Sequence, residues 1–323
     1  MDRFDELRKH LLPRLESGSV GLEIAPWHSP VLPKAAFPSV RTLDVFPQSE
    51  LIARARTAEP QLSESSISAI EPVDFVGNAA RLGEAIPPHL HGQFSFILSS
   101  HNFEHIPNPI RFLADCFDIL TDDGVLVMAI PDKRACFDHW RPVSTLGQLV
   151  DAHVDRREMP SIGQQVDHSL GRAFVRSGEG VSTVFSTETP DEEICSDETR
   201  FSDFADRLGR YEGGSGGPSG TYVSAHCWTF VPESFALLMR DLNALKLANL
   251  FPMEISEPRG AEFFVHLSKT PITYPERTHM CRTLMAALGE RKVLAKHDPR
   301  RYRRTFATYM AGLSLLDRLL GHR

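Results

Sequence analysis

The sequence predicts an α/β fold built around a doubly wound, mostly parallel sheet. Two runs, Phe94–Leu98 and Gly124–Ile130, are continuously apolar, as is typical of parallel strands buried on both faces. Between them, apolar residues at helical spacing indicate a crossover helix: Ile110, Leu113, Phe117 and Leu120. A polar segment follows each run, SSHNFEH after the first and PDKR after the second. Since ligands bind at the carboxyl ends of parallel strands, we expect a functional site at this edge.

Further elements on either side of this unit complete a seven-stranded sheet. Upstream, three short strands are predicted at Val20–Pro26, Val40–Val45 and Asp74–Asn78. Helices are predicted at 48–58, 79–85 and 110–120. Downstream, a helix at Glu233–Leu245 begins after a proline and leads into a strand–turn–strand hairpin at Met253–Leu267.

The pattern of the chain changes between residues 151 and 220, which are polar, acidic and poorly periodic, and which end in GGSGGPSG. We interpret this segment as an inserted lid, partly flexible, within one domain formed by residues 1–150 and 221–270. The remaining residues, 271–323, contain 11 Arg or Lys against 4 Asp or Glu and are predicted to form a basic helical extension. A solvated helix face is the common explanation of such a charge run. Docking of a protein partner or a homo-oligomer contact is the alternative.

Composition excludes several classes of function. A net charge of -7 argues against binding nucleic acid by bulk electrostatics. The five cysteines form no CxxC pair, so neither a zinc-finger pattern nor a disulfide framework is indicated. No apolar run approaches the roughly 20 residues of a membrane span, and the amino-terminal residues lack the apolar core of a signal peptide. We therefore expect a cytoplasmic protein.

Several segments resemble one family closely. GLEIAPWHSP (21–30), SSHNFEHIPNP (99–109), GVLVMAIPDKRACFDHWRP (124–142) and HCWTFVPESF (226–235) are similar to motifs of bacterial class I S-adenosylmethionine-dependent methyltransferases. The resemblance covers about residues 18–155 and 221–269. It implies a Rossmann-like sheet, S-adenosylmethionine as cofactor, and methyl transfer to an oxygen or nitrogen of a small-molecule or saccharide acceptor.

The resemblance also implies which residues bind the cofactor: Glu23, Ala25, Asp44, Asn78, Ser99 and His101. Asp44, at the end of the second strand, would accept both ribose hydroxyls. Glu23 could instead cap nearby backbone amides, and Asn78 could be a turn residue. Ala25 stands where the family has glycine, so a non-catalytic binding or scaffold protein of the same fold is the alternative function.

His101 and Asp132 are the candidate catalytic residues, because methyl transfer needs positioning and a base for a hydroxyl or amine acceptor. A role of His101 in holding its loop closed is the alternative. The order H-N-F-E-H does not match the HExxH zinc motif. His101, His105 and Asp132 form the alternative ligand set for a single ion, but without further ligands the sequence favours no metal.

Cationic residues after the fifth strand are candidates for acceptor binding. If the acceptor is anionic, Lys133, Arg134 and Arg141 would be its clamps. His226 is the fourth candidate, because it lies at the start of a predicted late strand from which a side chain can reach the acceptor pocket.

Overall fold

The structure, a computed structural model, describes residues 5, 7, 8, 11–57, 62–177, 180–198, 200, 201, 204, 205, 208 and 223–289. The GGSGGPSG segment and residues 290–323 of the predicted basic extension lie outside these residues. Contacts divide the chain into two units, Met1–Thr273 and Tyr274–Arg323. In the described residues, no helix is long and apolar enough to cross a membrane.

The first unit contains two sheets. Its strands are β1 (Gly21–Ile24), β2 (Val40–Asp44), β3 (Phe75–Val76), β4 (Phe94–Ser100), β5 (Leu120–Pro131), β6 (Ala173–Ser177), β7 (Gly180–Ser182), β8 (Ile194–Ser196), β9 (Phe251–Ile255) and β10 (Glu262–Ser268). The large sheet has the order β3-β2-β1-β4-β5-β10-β9 and the small one β7-β6-β8. In the large sheet β1 to β5 are parallel, whereas β10 is antiparallel to both β5 and β9. The predicted fold class is confirmed.

Helices surround the large sheet. They are α1 (Leu12–Glu16), α2 (Gln48–Arg56), α3 (Glu64–Ser68), α4 (Leu82–Ala85), α5 (Pro109–Ile119), α6 (Leu146–Val154), α7 (Ile162–Leu170) and α8 (Pro232–Ala244). The described part of the second unit contains one helix, α9 (Arg277–Ala287). The predicted late strand is absent: residues 223–229 form no strand, and Phe230 makes only an isolated bridge to Asp132.

The central strands are buried on both faces, which explains their apolar sequence. In β5, Leu126, Met128 and Ile130 belong to one core cluster. The alternating residues Val125, Val127 and Ala129 belong to the other. Because successive side chains of a strand point to opposite faces, a strand between two helical layers must be apolar at every position.

Gly21 leaves room for the ring of Phe96 on the adjacent strand. A β-carbon at position 21 would lie 1.9 Å from Cζ of this fully buried phenylalanine. We expect Gly21→Ala to lower the free energy of unfolding, measured by urea denaturation, by about 1–3 kcal/mol. Gly147→Ala in α6 is the control: its new carbon would meet nothing closer than 3.9 Å and should stabilise the helix by up to about 1 kcal/mol. Equal stability of Gly21→Ala and wild type would contradict the prediction.

Candidate functional site

A cleft of about 590 Å³ opens at the carboxyl ends of β1 to β4. Its walls come from residues at or just beyond the ends of these strands, including Ala25, Asp44, Asn78 and His101. Residues 158–160 and 223–224 complete the lining on the side of the predicted insertion. The cleft has the size of a small-molecule site and lies where an open α/β sheet binds its ligands.

The loop after β1 keeps a glycine-like backbone although it has no glycine. Ala25 and Trp27 both have φ of 51°, in the left-handed region that favours glycine. The amide of Ala25 donates to the carbonyl of Leu43 at 2.7 Å, which ties the loop to β2. Such conformations persist only where surrounding structure imposes them, and they occur often at binding sites. The Ala25 substitution therefore leaves the left-handed backbone in place.

Glu23 does not line the cleft. Its buried carboxylate accepts hydrogen bonds from the amides of Val31, at 2.7 Å, and Leu32, at 3.1 Å. Burial raises its pKa to about 7, and these two amides act in the opposite direction. The structure thus gives Glu23 the amide-capping role that the sequence left open as its alternative.

Asp44 ends β2 and lines the cleft while only 6% of its surface is exposed. Burial raises the pKa of its carboxyl above the ordinary 3.8, and the backbone amides of Val45 and Phe46 lower it. A buried carboxylate that borders the cleft beside Leu43 and Val45 is suited to accept hydrogen bonds from a polar group of a ligand.

The two other predicted cofactor ligands differ in access. Asn78 lines the cleft, and its Oδ1 also accepts from the amide of Ala80 at 2.9 Å, so it is a turn residue as well. Ser99 is fully buried, and its hydroxyl accepts from Nδ2 of Asn102 at 3.1 Å. Ser99 is absent from the lining of the cleft.

His101 is held by a carboxylate from the far end of the chain. Its Nε2 lies 2.6 Å from Oε2 of Glu262, the first residue of β10. Its Nδ1 lies 3.7 Å from Oε1 of Glu104, and its backbone has φ of 49°. The side chain is 41% exposed, so it combines access to the cleft with a fixed orientation.

Asp132 is fully buried and its carboxylate pairs with Arg134. Oδ1 and Oδ2 lie 2.9 and 2.6 Å from nitrogens of that guanidinium. Oδ1 also accepts from the amide of Arg134, which caps the turn Lys133–Ala135. The cleft lining does not include Asp132. Its catalytic role stays a prediction, and the carboxylate within hydrogen-bond distance of His101 belongs to Glu262.

The residues predicted to bind the acceptor also form contacts with other residues of the protein. Lys133 donates to the carbonyl of His139 at 2.7 Å, and burial lowers the pKa of its ammonium. Nη1 of Arg141 lies 2.6 Å from Oδ1 of Asp138, and both side chains are buried. Oδ2 of the same aspartate lies 2.5 Å from Nδ1 of His226. Lys133, Arg134, Arg141 and His226 are absent from the lining of the main cleft, and their binding role stays a prediction.

The segment around His226 is fixed to the turn after β4. The amides of Cys227 and Trp228 both donate to the carbonyl of Glu104, at 2.7 and 3.2 Å. The indole of Trp228 donates to the carbonyl of Ile106 at 2.6 Å. These bonds hold His226 beside Glu104, whose Oε1 lies 3.8 Å from Nε2 of the histidine.

Sequence reasoning missed Glu262 and the contact of Glu104 with His226. An acid at the start of β10 is a readable signal, since an antiparallel strand begins at the edge where its neighbours end. The partner of that acid depends on the register of β10 against β5, which no local pattern gives. Glu262 and His101 are 161 residues apart in the sequence, and His226 lies more than 100 residues beyond Glu104.

Comparison with known proteins points to one family. A family model described as a methyltransferase domain matches residues 2–178, more than half of the chain. A search of curated proteins found no match.

Solved structures with a similar fold include a SAM-dependent methyltransferase from Aquifex aeolicus. The sequence identity is 12%, the alignment covers 82% of this chain and 93% of that chain, and the TM-score is 0.37. A second, from Mesorhizobium loti, has 13% identity, 79% and 95% coverage and a TM-score of 0.37. A third is the glycopeptide N-methyltransferase MtfA complexed with S-adenosylmethionine, with 10% identity, 84% and 88% coverage and a TM-score of 0.37. Similarity at this level carries no functional argument, so the assignment rests on the family model.

Proposed function

Because the chain belongs to the methyltransferase-domain family, whose class I members use S-adenosylmethionine, we propose that it transfers a methyl group to an oxygen or nitrogen of a neutral small molecule or saccharide. The observation that carries this proposal is the cleft, which is lined by Asp44 and Asn78 from the ends of β2 and β3 and by His101 and His105 from the turn after β4.

The donor set of the cleft fits the cofactor. Asp44 would accept from the ribose hydroxyls, and the amide of Asn78 would face the adenine. Apolar walls from Leu43, Val45 and Ala79 suit a flat base. When bound, S-adenosylmethionine supplies an activated methyl group on its sulfonium. The glycine-like backbone at Ala25 favours retained binding over the non-catalytic alternative.

His101 is the proposed base. A tautomer with Nε2–H donating to Glu262 leaves the lone pair on Nδ1, which would take the proton of the acceptor. Glu262 would orient the imidazole and stabilise its protonated form. We assign no catalytic role to Asp132, since its carboxylate is paired with Arg134.

A neutral acceptor fits the charges of the cleft better than an anionic one. Among the described residues that line it, Arg54 is the one Arg or Lys side chain. It pairs with Glu50 at 2.8 Å and lies over the ring of Phe46, 3.7 Å from its centroid. Other polar residues that line the cleft include His105, Glu158 and Ser224. Hydroxyl or amino groups would find hydrogen-bond partners there.

Calorimetric titration with S-adenosylmethionine and S-adenosylhomocysteine tests the proposal. Saturable binding of both is the expected result, and no heat at millimolar ligand would contradict it.

Asp44→Ala should weaken binding of S-adenosylmethionine about 5- to 150-fold, equivalent to about 1–3 kcal/mol for the loss of hydrogen bonds to a carboxylate. Asp122→Ala removes an exposed acid from β5 and is the matched control, with unchanged affinity expected. If Asp44→Ala binds as tightly as wild type in the same titration, the ribose must be bound elsewhere.

A further inference from the structure

Three side chains with metal-ligating atoms converge beneath the cleft. Oε1 of Glu104 lies 3.9 Å from Nε2 of His105 and 3.8 Å from Nε2 of His226. The three ligand atoms all lie within 4.8 Å of one another. Glu104 and His105 come from the turn after β4, and His226 is placed beside them by the bonds from Cys227 and Trp228 to Glu104.

Glu104 is the group in this cluster that needs a partner. Its side chain is 1% exposed, yet neither carboxylate oxygen accepts a hydrogen bond of normal geometry from the described residues. Buried polar atoms are nearly always paired, and an unpaired buried carboxylate is costly. A cation between the three ligand atoms would remove this cost.

The outer contacts have the form that holds a metal-binding imidazole. Nδ1 of His226 lies 2.5 Å from the carboxylate of Asp138, so the tautomer that donates to Asp138 directs the Nε2 lone pair toward Glu104. A carboxylate behind a histidine in this way is typical of zinc sites. Asp138 is itself fixed by Arg141.

His105 supplies both a ligand and an opening. The ring of His105 lies 4.6 Å, centroid to centroid, from the ring of His226. Nδ1 of His105 lies 3.5 Å from the hydroxyl of Ser224. The side chain is 22% exposed and lines the cleft, which gives an ion a path to the cluster.

We propose that Glu104, His105 and His226 bind one divalent transition-metal ion of the zinc class. Two imidazoles and one carboxylate are a known ligand set of catalytic zinc sites, which keep a further position open. Ligand atoms about 2.1 Å from a tetrahedral ion are about 3.4 Å apart. The observed 3.8 and 3.9 Å from Glu104 would contract by about half an ångström, and the two histidine nitrogens, which lie within 4.8 Å of one another, would approach to the same separation. The sequence pattern conceals this site, because its third ligand lies more than 100 residues beyond the other two.

The open position would face the cleft side at His105, near Nδ1 of His101, which lies 3.7 Å from the same oxygen of Glu104. If the proposed methyl transfer is right, an acceptor hydroxyl bound there would lose its proton more readily. This acceptor role rests on the proposed function, whereas ion binding does not.

Titration of the chelator-treated full-length protein with Zn²⁺ alone tests the site. We expect one ion per chain by calorimetry and by elemental analysis, and a raised melting temperature. Co²⁺ alone should give the intense visible absorption of a four-coordinate ion. Glu104→Gln and His226→Gln should each weaken Zn²⁺ binding on the order of 100-fold or more, and Asp138→Asn about 10- to 100-fold. His89→Gln, at an exposed histidine, is the matched control and should bind as wild type does.

Two results would overturn the site. One is the absence of Zn²⁺ and Co²⁺ binding at millimolar ion by wild-type protein that is folded by circular dichroism. The other is equal Zn²⁺ affinity of Glu104→Gln, His226→Gln and wild type, which would assign the ion to other ligands. A parallel titration with S-adenosylmethionine separates failure of the proposed function from failure of the metal site.

Discussion

Arg141→Leu is expected to lower the free energy of unfolding by about 3–5 kcal/mol, because it removes the guanidinium from the buried carboxylate of Asp138. The imidazole of His226 and the weakly donating thiol of Cys136 would remain beside that carboxylate. The guanidinium is 6% exposed and the carboxylate 3%, so water cannot replace the lost contact. Urea denaturation at neutral pH measures the change.

Arg157→Leu provides the matched control for this variant. Its guanidinium pairs with Asp155 at 2.7 Å, but that carboxylate is 55% exposed, so we expect a change of at most about 1 kcal/mol. The double variant Asp138→Asn/Arg141→Leu should recover part of the loss, since no uncompensated charge remains. A cost below about 1 kcal/mol for Arg141→Leu alone would show that Asp138 does not depend on this partner.

The second large effect is a dependence of the free energy of unfolding on pH, caused by Glu23. Its pKa is about 7 in the folded protein and 4.5 ordinarily, because burial disfavours the carboxylate. Between these values the folded state binds the proton more strongly than the unfolded state. Stability from this group is therefore complete below pH 4.5 and is lost as pH rises through about 7. At about 1.4 kcal/mol per pH unit, the difference amounts to about 3 kcal/mol.

The difference in unfolding free energy between wild type and Glu23→Gln isolates this contribution. We expect wild type to lose about 3 kcal/mol relative to the variant between pH 4.5 and pH 7.5. Glu50→Gln is the control, because Glu50 forms only a surface pair with Arg54 and its curve should change by less than about 1 kcal/mol. A flat difference curve for Glu23→Gln would mean that Val31 and Leu32 compensate the burial completely.

The large sheet could be predicted because its physical cause is local. Strands such as β4 and β5 are covered on both sides, and their unbroken apolar runs record this directly. The terminal hairpin could be predicted from its strand–turn–strand pattern, and the structure has it as β9 and β10. Boundaries differ by a few residues, and β5 begins at Leu120, earlier than the apolar run alone indicates.

The region after β5 was harder, because its order comes from caps and tertiary contacts. Helices α6 and α7 are short, and the clearest local signals are the capping boxes of Thr145 with Gln148 and Ser161 with Gln164. The small sheet β7-β6-β8 lies in a stretch of low hydrophobic periodicity. Such a segment offers too little apolar pattern for its strands to be identified from sequence.

For the site, positions at strand ends could be predicted but partners could not. Asp44 and His101 line the cleft as their places after β2 and β4 imply. Asp132 and Arg134, by contrast, pair with one another and do not line the cleft. The sequence does not show whether a charged residue in a loop binds a ligand or pairs with a neighbouring residue. Only the packing of the folded chain distinguishes these two roles.

The pairing of His101 with Glu262 joins positions 161 residues apart, and the amide of Cys227 reaches back to Glu104. Closing loops of this length costs chain entropy before any contact is gained, so these contacts raise the contact order of the protein. Strands β1 to β4 are complete by residue 100, whereas the orienting carboxylate of His101 arrives only with the start of β10. During synthesis, the strand ends that carry Asp44 and Asn78 leave the ribosome long before the histidine acquires its carboxylate.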